Sequence, residues 1–287
     1  MNARDVLRGM FPAPLRRRLW ALVEGIGAVQ QRAFERRLGV STGGHVYLDE
    51  AGSQVTDRAF YEGCQWLPVR RALRAIGVGP EDVFVDLGSG KGQALLIAAS
   101  EPYRRVIGVE LLEDLTAEAE RNLSAARPAL RAGELETVTA DVLQWPVPDD
   151  LSVVFLYCPF MNEVFYESMH RIFAYYDRRP RPLHIVYAFP WEHNWLMRSG
   201  RVVLADVLPA QWPARPWWWR SSWVITVYRV VAQGEAGPRV PTVRRRLLRP
   251  ARALARWSAP NQHVFRLTRD DQVVARSVPD APGDRSD

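Results

Sequence analysis

Three acidic residues could bind a ligand together, because each comes at the end of a short apolar run. They are Asp86, Glu110 and Asp141, and a glycine-rich segment, Gly88–Gly92, follows the first of them. Such runs are typical of buried parallel strands, whose carboxyl ends meet at one edge of a sheet where ligands bind. A glycine turn that opens a helix presents backbone N–H groups to such a ligand. The pattern predicts a ligand site at this edge.

The spacing of the glycines distinguishes between classes of nucleotide site. A dinucleotide fingerprint has glycines at relative positions one, three and six, which here are Gly88, Gly90 and Gln93, so the last one is missing. Asp86 would also place a negative charge beside a pyrophosphate. Lys91 lacks the spacing and the following Ser or Thr of a nucleoside-triphosphate loop. The pattern favours a nucleoside ligand with a cationic ammonium or sulfonium, and a NAD-dependent oxidoreductase is the alternative on the same kind of sheet.

The elements that must position these residues alternate between strand and helix patterns. A helix is expected over 59–76, followed by strands at 83–86, 106–110, 137–140, 153–157 and 183–188, with helices at 93–100, 115–127 and 163–176 between them. This alternation predicts an α/β fold with a doubly wound, mostly parallel sheet and helices on both faces. The last two strands, at 201–208 and 223–231, have only a turn-rich loop between them, which predicts an antiparallel hairpin and seven strands in all.

The motif D-L-G-S-G-K-G, the spacing of the acids and the terminal hairpin together resemble the class I S-adenosylmethionine-dependent methyltransferases. The resemblance covers residues 58–231. The longer spelling F-V-D-L-G-S-G-K-G-Q also resembles the glycine loop of the non-SET histone lysine methyltransferases. The resemblance implies a Rossmann-like fold, S-adenosylmethionine as cofactor and methyl transfer to an acceptor, with a protein lysine or a small molecule favoured. A non-catalytic protein that binds a nucleoside cofactor is the alternative.

The resemblance also implies roles for single residues. Asp86 and the backbone of the glycine segment would hold the methionine end of the cofactor. Glu110 would accept hydrogen bonds from the ribose hydroxyls, and Asp141 would bind the adenine amino group. The whole implied cofactor-binding set is Asp86, Gly88, Ser89, Gly90, Gly92, Glu110, Leu111, Asp141 and Val142.

The segment after the fourth strand departs from the Asn/Asp-Pro-Pro-Tyr motif of amine methylases. It has Cys158 at the first position, and a thiol cannot orient an amine as an amide or carboxylate does. DNA and glutamine N-methylation are therefore disfavoured. Cys158 and Phe160 are predicted to line the substrate pocket. The candidates for a general base are the residues that follow predicted strands on the ligand side, namely Tyr157, Glu192 and His193.

Length and charge suggest one catalytic domain with basic extensions. The chain has 287 residues, and we expect a basic helical extension and linker at 1–57, the methyltransferase domain at 58–231 and a basic, partly disordered tail at 232–287. The net charge is +6, and only one of the 38 basic residues is a lysine. An arginine bias this complete is typical of genome base composition and is weak evidence for nucleic-acid binding. Arg239–Trp257 has seven arginines and no acid, which suggests an anionic membrane surface or an acidic partner.

The remaining composition bounds the location of the protein. Its two cysteines lie on unrelated segments without metal-ligand spacing, so we expect no metal and a reducing cytoplasm. No apolar run reaches the ~18–20 residues of a membrane span. We expect a cytoplasmic protein, with peripheral attachment to a membrane as a further option.

Overall fold

The computed structural model describes residues 25, 28–46, 61–209, 224–235, 263–267 and 273–277. The expectations for residues 1–24, for the tryptophan-rich loop at 210–223 and for the arginine-rich stretch at 239–257 lie outside these residues. Among the described residues, no helix is long and apolar enough to cross a membrane.

Every helix and strand predicted from residue 59 onwards has a counterpart in the structure, in the predicted order. The structure also has short elements that the sequence pattern did not predict, at 45–46, 61–62, 193–198, 263–267 and 273–277. The helices are α1 (28–38), α2 (Trp66–Ile76), α3 (Gln93–Ala99), α4 (Glu113–Ala126), α5 (Asn162–Arg178) and α6 (His193–Arg198), with a 3-10 turn at Arg127–Ala129. The strands are β1 (His45–Val46), β2 (Tyr61–Glu62), β3 (Val83–Leu87), β4 (Arg105–Glu110), β5 (Glu134–Thr139), β6 (Val153–Tyr157), β7 (His184–Ala188), β8 (Val202–Pro209), β9 (Val224–Val230), β10 (His263–Leu267) and β11 (Val273–Ser277).

The main sheet has seven strands in the order β5-β4-β3-β6-β7-β9-β8. β3 to β7 are parallel to their neighbours among themselves, whereas β9 is antiparallel to both β7 and β8. The strand order reverses at β3, where β4 lies on one side and β6 on the other, so β3 is the switch point at which ligands bind in doubly wound sheets. The expected fold class, with its C-terminal antiparallel hairpin, is confirmed.

Alternate residues of β3 face opposite layers of the core. Val83, Val85 and Leu87 pack with residues of α5 on one side. Phe84 packs with residues of α2 and α3 on the other. Because side chains alternate along a strand, Asp86 points to the same side as Phe84, towards α2 and α3.

Two elements begin three or more residues away from the position expected from the sequence. The helix expected from residue 59 begins only at Trp66, because residues 61 and 62 pair with β1 instead. The strand expected at 137–140 begins at Glu134 and ends at Thr139. The start of β5 was not predicted because Glu134 and Glu136 interrupt the apolar pattern of a buried strand. Charged residues are tolerated there because β5 is an edge strand, and both side chains are exposed to solvent.

The loop between β3 and α3 requires glycine at two positions. Gly88 and Gly92 have φ values of +82° and +81°, a conformation that side chains disfavour. A Cβ on Gly88 would also overlap the Cβ of Pro159, which follows β6. A Cβ on Gly92 would lie 3.0 Å from the Cβ of Ala119 on α4. The loop is therefore held between the chain that follows β6 and α4.

We predict that Gly88→Ala destabilises the fold more than Gly77→Ala. Both glycines have positive φ, but a Cβ on Gly77 would meet no atom within 4 Å. The backbone penalty of roughly 1–2 kcal/mol applies to both variants, and the overlap with Pro159 adds about 1–3 kcal/mol to Gly88→Ala alone. Urea unfolding of the two variants measures the difference, and equal losses would contradict the contact.

Candidate functional site

Glu110, the last residue of β4, ties the glycine loop to the chain that leaves the sheet. Its Oε2 accepts a hydrogen bond from the N–H of Gly90 at 2.8 Å. Its Oε1 accepts from the N–H groups of Leu111 and Leu112 at 2.9 and 3.1 Å. The residue is only 8% exposed. These bonds stabilise the charged form of a buried carboxylate and fix its position at the strand end.

Asp86 is a buried acid with unused hydrogen-bonding capacity. It is 3% exposed, and its Oδ1 has no hydrogen-bond partner in the described part of the chain. Burial, together with the negative charge of Glu110, raises the pKa of Asp86 well above its usual value. A buried carboxylate oxygen of this kind is costly unless a donor or a cation reaches it. The site therefore fits a ligand that brings a positive charge to Asp86.

The glycine loop is anchored to β4 through its backbone. The N–H groups of Gly88 and Ser89 donate to the carbonyl of Val109 at 2.8 and 3.1 Å. The N–H of Gly92 donates to the carbonyl of Ser89 at 2.9 Å. These bonds leave the loop as a tight turn at the start of α3, with Asp86 before it.

The third predicted acid lies at the same edge, slightly beyond its strand. β5 ends at Thr139, which pairs with Glu110, and the N–H of Ala140 donates to the carbonyl of Glu110 at 2.8 Å. Asp141 follows, and its Oδ1 accepts from the N–H of Leu143 at 3.0 Å. Asp141 and its neighbour Val142 are half-buried. The sheet therefore brings the three acids to one edge, as the sequence predicted.

The carboxyl ends of β6 and β7 form a second strained region beside the glycine loop. Tyr157 and Ala188 pair as the last residues of the two strands. The next residues, Cys158 and Phe189, both have positive φ, at +47° and +52°. The rings of Tyr157 and Phe189 meet edge to face at 5.2 Å. Because a non-glycine residue in this conformation costs about 1–3 kcal/mol, two neighbouring cases are typical of a functional site.

The two residues predicted to line a substrate pocket differ in their surroundings. Cys158 is half-buried, and burial together with the charge of Glu192 raises the pKa of its thiol to about 12. The thiol therefore stays protonated at neutral pH and is a poor nucleophile. Phe160 is 5% exposed and packs in the core with residues of α5. Its role as a pocket wall stays a prediction.

All three candidate bases have contacts within the protein, Tyr157 through the ring of Phe189. The carboxylate of Glu192 accepts hydrogen bonds from the N–H of Asn162 and the hydroxyl of Tyr166, each at 3.1 Å. His193 Nδ1 lies 2.6 Å from the hydroxyl of Tyr228, and burial lowers the pKa of this histidine to about 4. The third candidate, Tyr157, is half-buried at the end of β6.

Sequence reasoning missed two residues that touch the site. Asn122 of α4 donates from Nδ2 to the carbonyl of Lys91 in the glycine loop at 2.9 Å. Cys64 is buried, and its pKa is raised by burial and by the negative charge of Asp86, which places it beside that carboxylate. Neither residue belongs to a local motif. Contacts between segments so far apart leave no signal in the spacing of a single sequence.

The described residues contain no group of three or more His, Cys, Asp or Glu side chains arranged to hold a metal ion. The acids at the sheet edge bind backbone N–H groups or stand next to the glycine loop.

Comparison of the sequence with protein families gives one match. Residues 60–132 match the family described as Histone methylation protein DOT1. The match covers about a quarter of the chain. It includes Cys64, the glycine loop, Glu110 and Asn122, and it ends before β5. The segment from Tyr157 onwards, which holds the predicted substrate-pocket residues, lies outside the match. No curated protein sequence matches the chain significantly.

Several solved structures resemble the chain at low identity. A SAM-dependent methyltransferase from Aquifex aeolicus aligns over 58% of this chain and 91% of its own, with 11% identity and a TM-score of 0.43. An RNA methyltransferase from Salinibacter ruber, solved with S-adenosyl-L-homocysteine, aligns over 61% and 93%, with 20% identity and a TM-score of 0.38. A TehB-like SAM-dependent methyltransferase from Corynebacterium glutamicum aligns over 71% and 99%, with 13% identity and a TM-score of 0.42.

The family match covers the segment that carries the glycine loop and two of the acids. The strand order, with its reversal at β3 and its antiparallel end, is the order expected for this class of enzyme. The match to the DOT1 family, a family of S-adenosylmethionine-dependent methyltransferases, together with this fold indicates an S-adenosylmethionine-dependent methyltransferase with S-adenosylmethionine as its cofactor.

Proposed function

We propose that the protein transfers the methyl group of S-adenosylmethionine to an amine, on a protein lysine or a small molecule. The observation that carries the proposal is the buried, unpartnered Oδ1 of Asp86 beside the glycine loop. It supports a ligand with a cationic head group and disfavours one with a pyrophosphate. The catalytic domain would span residues 58–231, with basic extensions on either side.

The cofactor-binding set follows the sheet edge. Asp86 and the turn formed by Gly88, Ser89, Gly90 and Gly92 would hold the methionine end. Glu110 would accept hydrogen bonds from the ribose hydroxyls. It could do so while it still accepts from the N–H of Gly90, because a carboxylate offers about four acceptor positions. Leu111, Asp141 and Val142 would surround the adenine. The support is that β4 and β5 bring these residues to one edge.

Bound S-adenosylmethionine supplies a methyl group on a sulfonium, an already activated leaving group. The protein therefore needs chiefly to align the acceptor and to exclude water. The strained ends of β6 and β7 suit this task, because Pro159 of the loop after β6 packs directly against Gly88 of the cofactor loop. Acceptor and cofactor would meet at this contact.

The charge of the acceptor side favours an amine. Glu192 lies close enough to Cys158 to raise the pKa of its thiol, so an anionic acceptor would be repelled and a cationic amine attracted. Its hydrogen bonds to Asn162 and Tyr166 hold that carboxylate in place. We infer that Glu192 and His193 are positioning residues, and Tyr157 stays a candidate for contact with the acceptor.

The first prediction from the proposed function concerns the choice of ligand. S-adenosylhomocysteine should bind the wild-type protein, and NAD should not, when both are measured by isothermal titration calorimetry. Asp86→Asn should weaken binding at least tenfold, about 1.4 kcal/mol, because the amide cannot offset the charge of the ligand ammonium. Glu120→Gln, a change at an exposed acid of α4, is the matched control. Binding of NAD without S-adenosylhomocysteine would overturn the cofactor assignment.

The second prediction concerns pH. Because the pKa of Asp86 is raised in the free protein, binding of a cationic ligand should release a proton from it. The affinity for S-adenosylhomocysteine should therefore weaken as the pH falls through that raised pKa. Calorimetry in buffers of different ionisation enthalpy counts the released proton. Asp86→Asn should lose this pH dependence, and an identical profile in the variant would assign the proton to another group.

The third prediction concerns the acceptor. Lysate fractions of protein, small molecules, RNA and lipid should be incubated with the enzyme and methyl-labelled cofactor, with Asp86→Asn as the control. We expect label in the protein or small-molecule fraction, and acid hydrolysis of labelled protein should release methylated lysine. Label in RNA or lipid alone would contradict the proposed acceptor class. Binding of S-adenosylhomocysteine without label in any fraction would favour a non-catalytic binding protein.

A further inference from the structure

A segment well ahead of the catalytic core lies against the cofactor loop. This segment, residues 28–46, comprises α1, the turn after it and β1, and we call it the N-terminal cap. Asn122 of α4 joins it to the glycine loop. The side chain donates to the carbonyls of Ser41 and Lys91 at 3.0 and 2.9 Å, and it accepts from the N–H of Ser41 at 3.0 Å. One buried amide thus holds the cap and the loop together.

A second contact joins the cap to the first residue of α3. Gln93 is 2% exposed, and its Nε2 donates to Oε1 of Gln31 in α1 at 2.5 Å. The other amide atom, Oε1 of Gln93, is buried without a hydrogen-bond partner in the described residues. It packs against Gly63, just after β2. Gln93 occupies the position at which a dinucleotide fingerprint has glycine. Its side chain makes the hydrogen bond to Gln31 of the cap, which a glycine could not make.

The cap itself is closed by a buried polar cluster. Thr42 is fully buried, and both its N–H and its hydroxyl donate to Oε1 of Glu35, at 2.9 and 3.1 Å. Gln31 donates from Nε2 to the same oxygen of Glu35 and to the hydroxyl of Thr42, at 3.1 and 2.9 Å. Burial alone would raise the pKa of Glu35, but these hydrogen bonds lower it overall. The cluster therefore keeps Glu35 charged and the turn after α1 fixed.

The cap also reaches the other side of the site. β1 at its end pairs with β2, which is followed by Gly63 and Cys64. Cys64 lies close enough to Asp86 for the charge of that carboxylate to raise the pKa of its thiol. The cap is thus connected to the cofactor site twice, through the carbonyl of Lys91 and through the chain that runs past Asp86.

We propose that Gln31, Thr42 and Asn122 are positioning residues of the cofactor site, and that docking of the N-terminal cap and binding of the cofactor stabilise each other. The inference rests on the proposed cofactor set. Three glycines with positive φ make the loop costly to order when it is free. A cap that holds the carbonyl of Lys91 pre-orders the loop and lowers that cost at the moment of binding. By thermodynamic linkage, the cofactor must then favour the docked cap to the same extent.

The test compares Thr42→Val with Thr42→Ser. Valine keeps the shape of threonine but removes the hydroxyl, whereas serine keeps the hydroxyl bonds to Glu35 and Gln31. Thr42→Val should bind S-adenosylhomocysteine at least about fivefold more weakly than wild type, and Thr42→Ser should retain most of the affinity. Gln31→Ala is the second variant should Thr42→Val not fold. Arg37→Ala, on the exposed side of α1, is the control and should bind as wild type does.

Hydrogen exchange gives a readout that a merely structural role would not move. The amide of Ser41 donates to Asn122 across the cap interface, and the amide of Thr42 donates to Glu35 within the cap. The exchange of both amides in wild type should slow when S-adenosylhomocysteine is added. Asn122→Asp, which cannot donate to either carbonyl, should lose this ligand-dependent protection. Ligand binding by wild type with no change in these amides, or with unchanged affinity in Thr42→Val, would overturn the coupling alone. Failure of wild type to bind the ligand would overturn the cofactor assignment as well.

Discussion

The site depends on two carboxylates that the sheet buries at neighbouring strand ends. Glu110 is stabilised as an anion by three backbone N–H groups. Asp86 has no such support for its Oδ1 in the described chain, and the charge of Glu110 makes its ionisation harder still. Lys91, the one cation of the loop, pairs with Glu118 of α4 at 3.1 Å. A buried acid left in this state destabilises the free protein and gains most from a cationic ligand.

The glycine loop transmits this constraint to the rest of the molecule. It contacts Glu110 through Gly90, the acceptor side through Gly88 and Pro159, and α4 through Gly92 and the carbonyl of Lys91. Positive φ at the three glycines allows these approaches without a clash. The same turn therefore contacts the end of β4, the chain after β6 and, through Asn122 of α4, the N-terminal cap.

The parts of the structure that local patterns determine could be predicted from the sequence. Apolar runs that end in acids predicted the strands and the position of Asp86, Glu110 and Asp141 at one edge of the sheet. The absence of a helical pattern between the last two strands predicted the antiparallel hairpin. Pairing between distant segments could not be predicted. The pair of β1 and β2 shortened the helix expected from residue 59, and contacts of Asn122 with Ser41 span 81 positions. The polar residues that make such contacts have no periodicity to reveal them.

The proposed cofactor-binding residues form a recognisable sequence motif, whereas the residues after β6 and β7 do not. Cofactor binding needs a fixed charge at Asp86 and a turn of fixed shape, and both requirements restrict residue type at fixed spacing. The acceptor side instead uses backbone strain at Cys158 and Phe189, which any residue can adopt at a cost when the surrounding sheet enforces it. Because Pro159 packs on Gly88, a change in that strained loop also displaces the cofactor turn. In the proposed function, this contact would couple the choice of acceptor to the affinity for the cofactor.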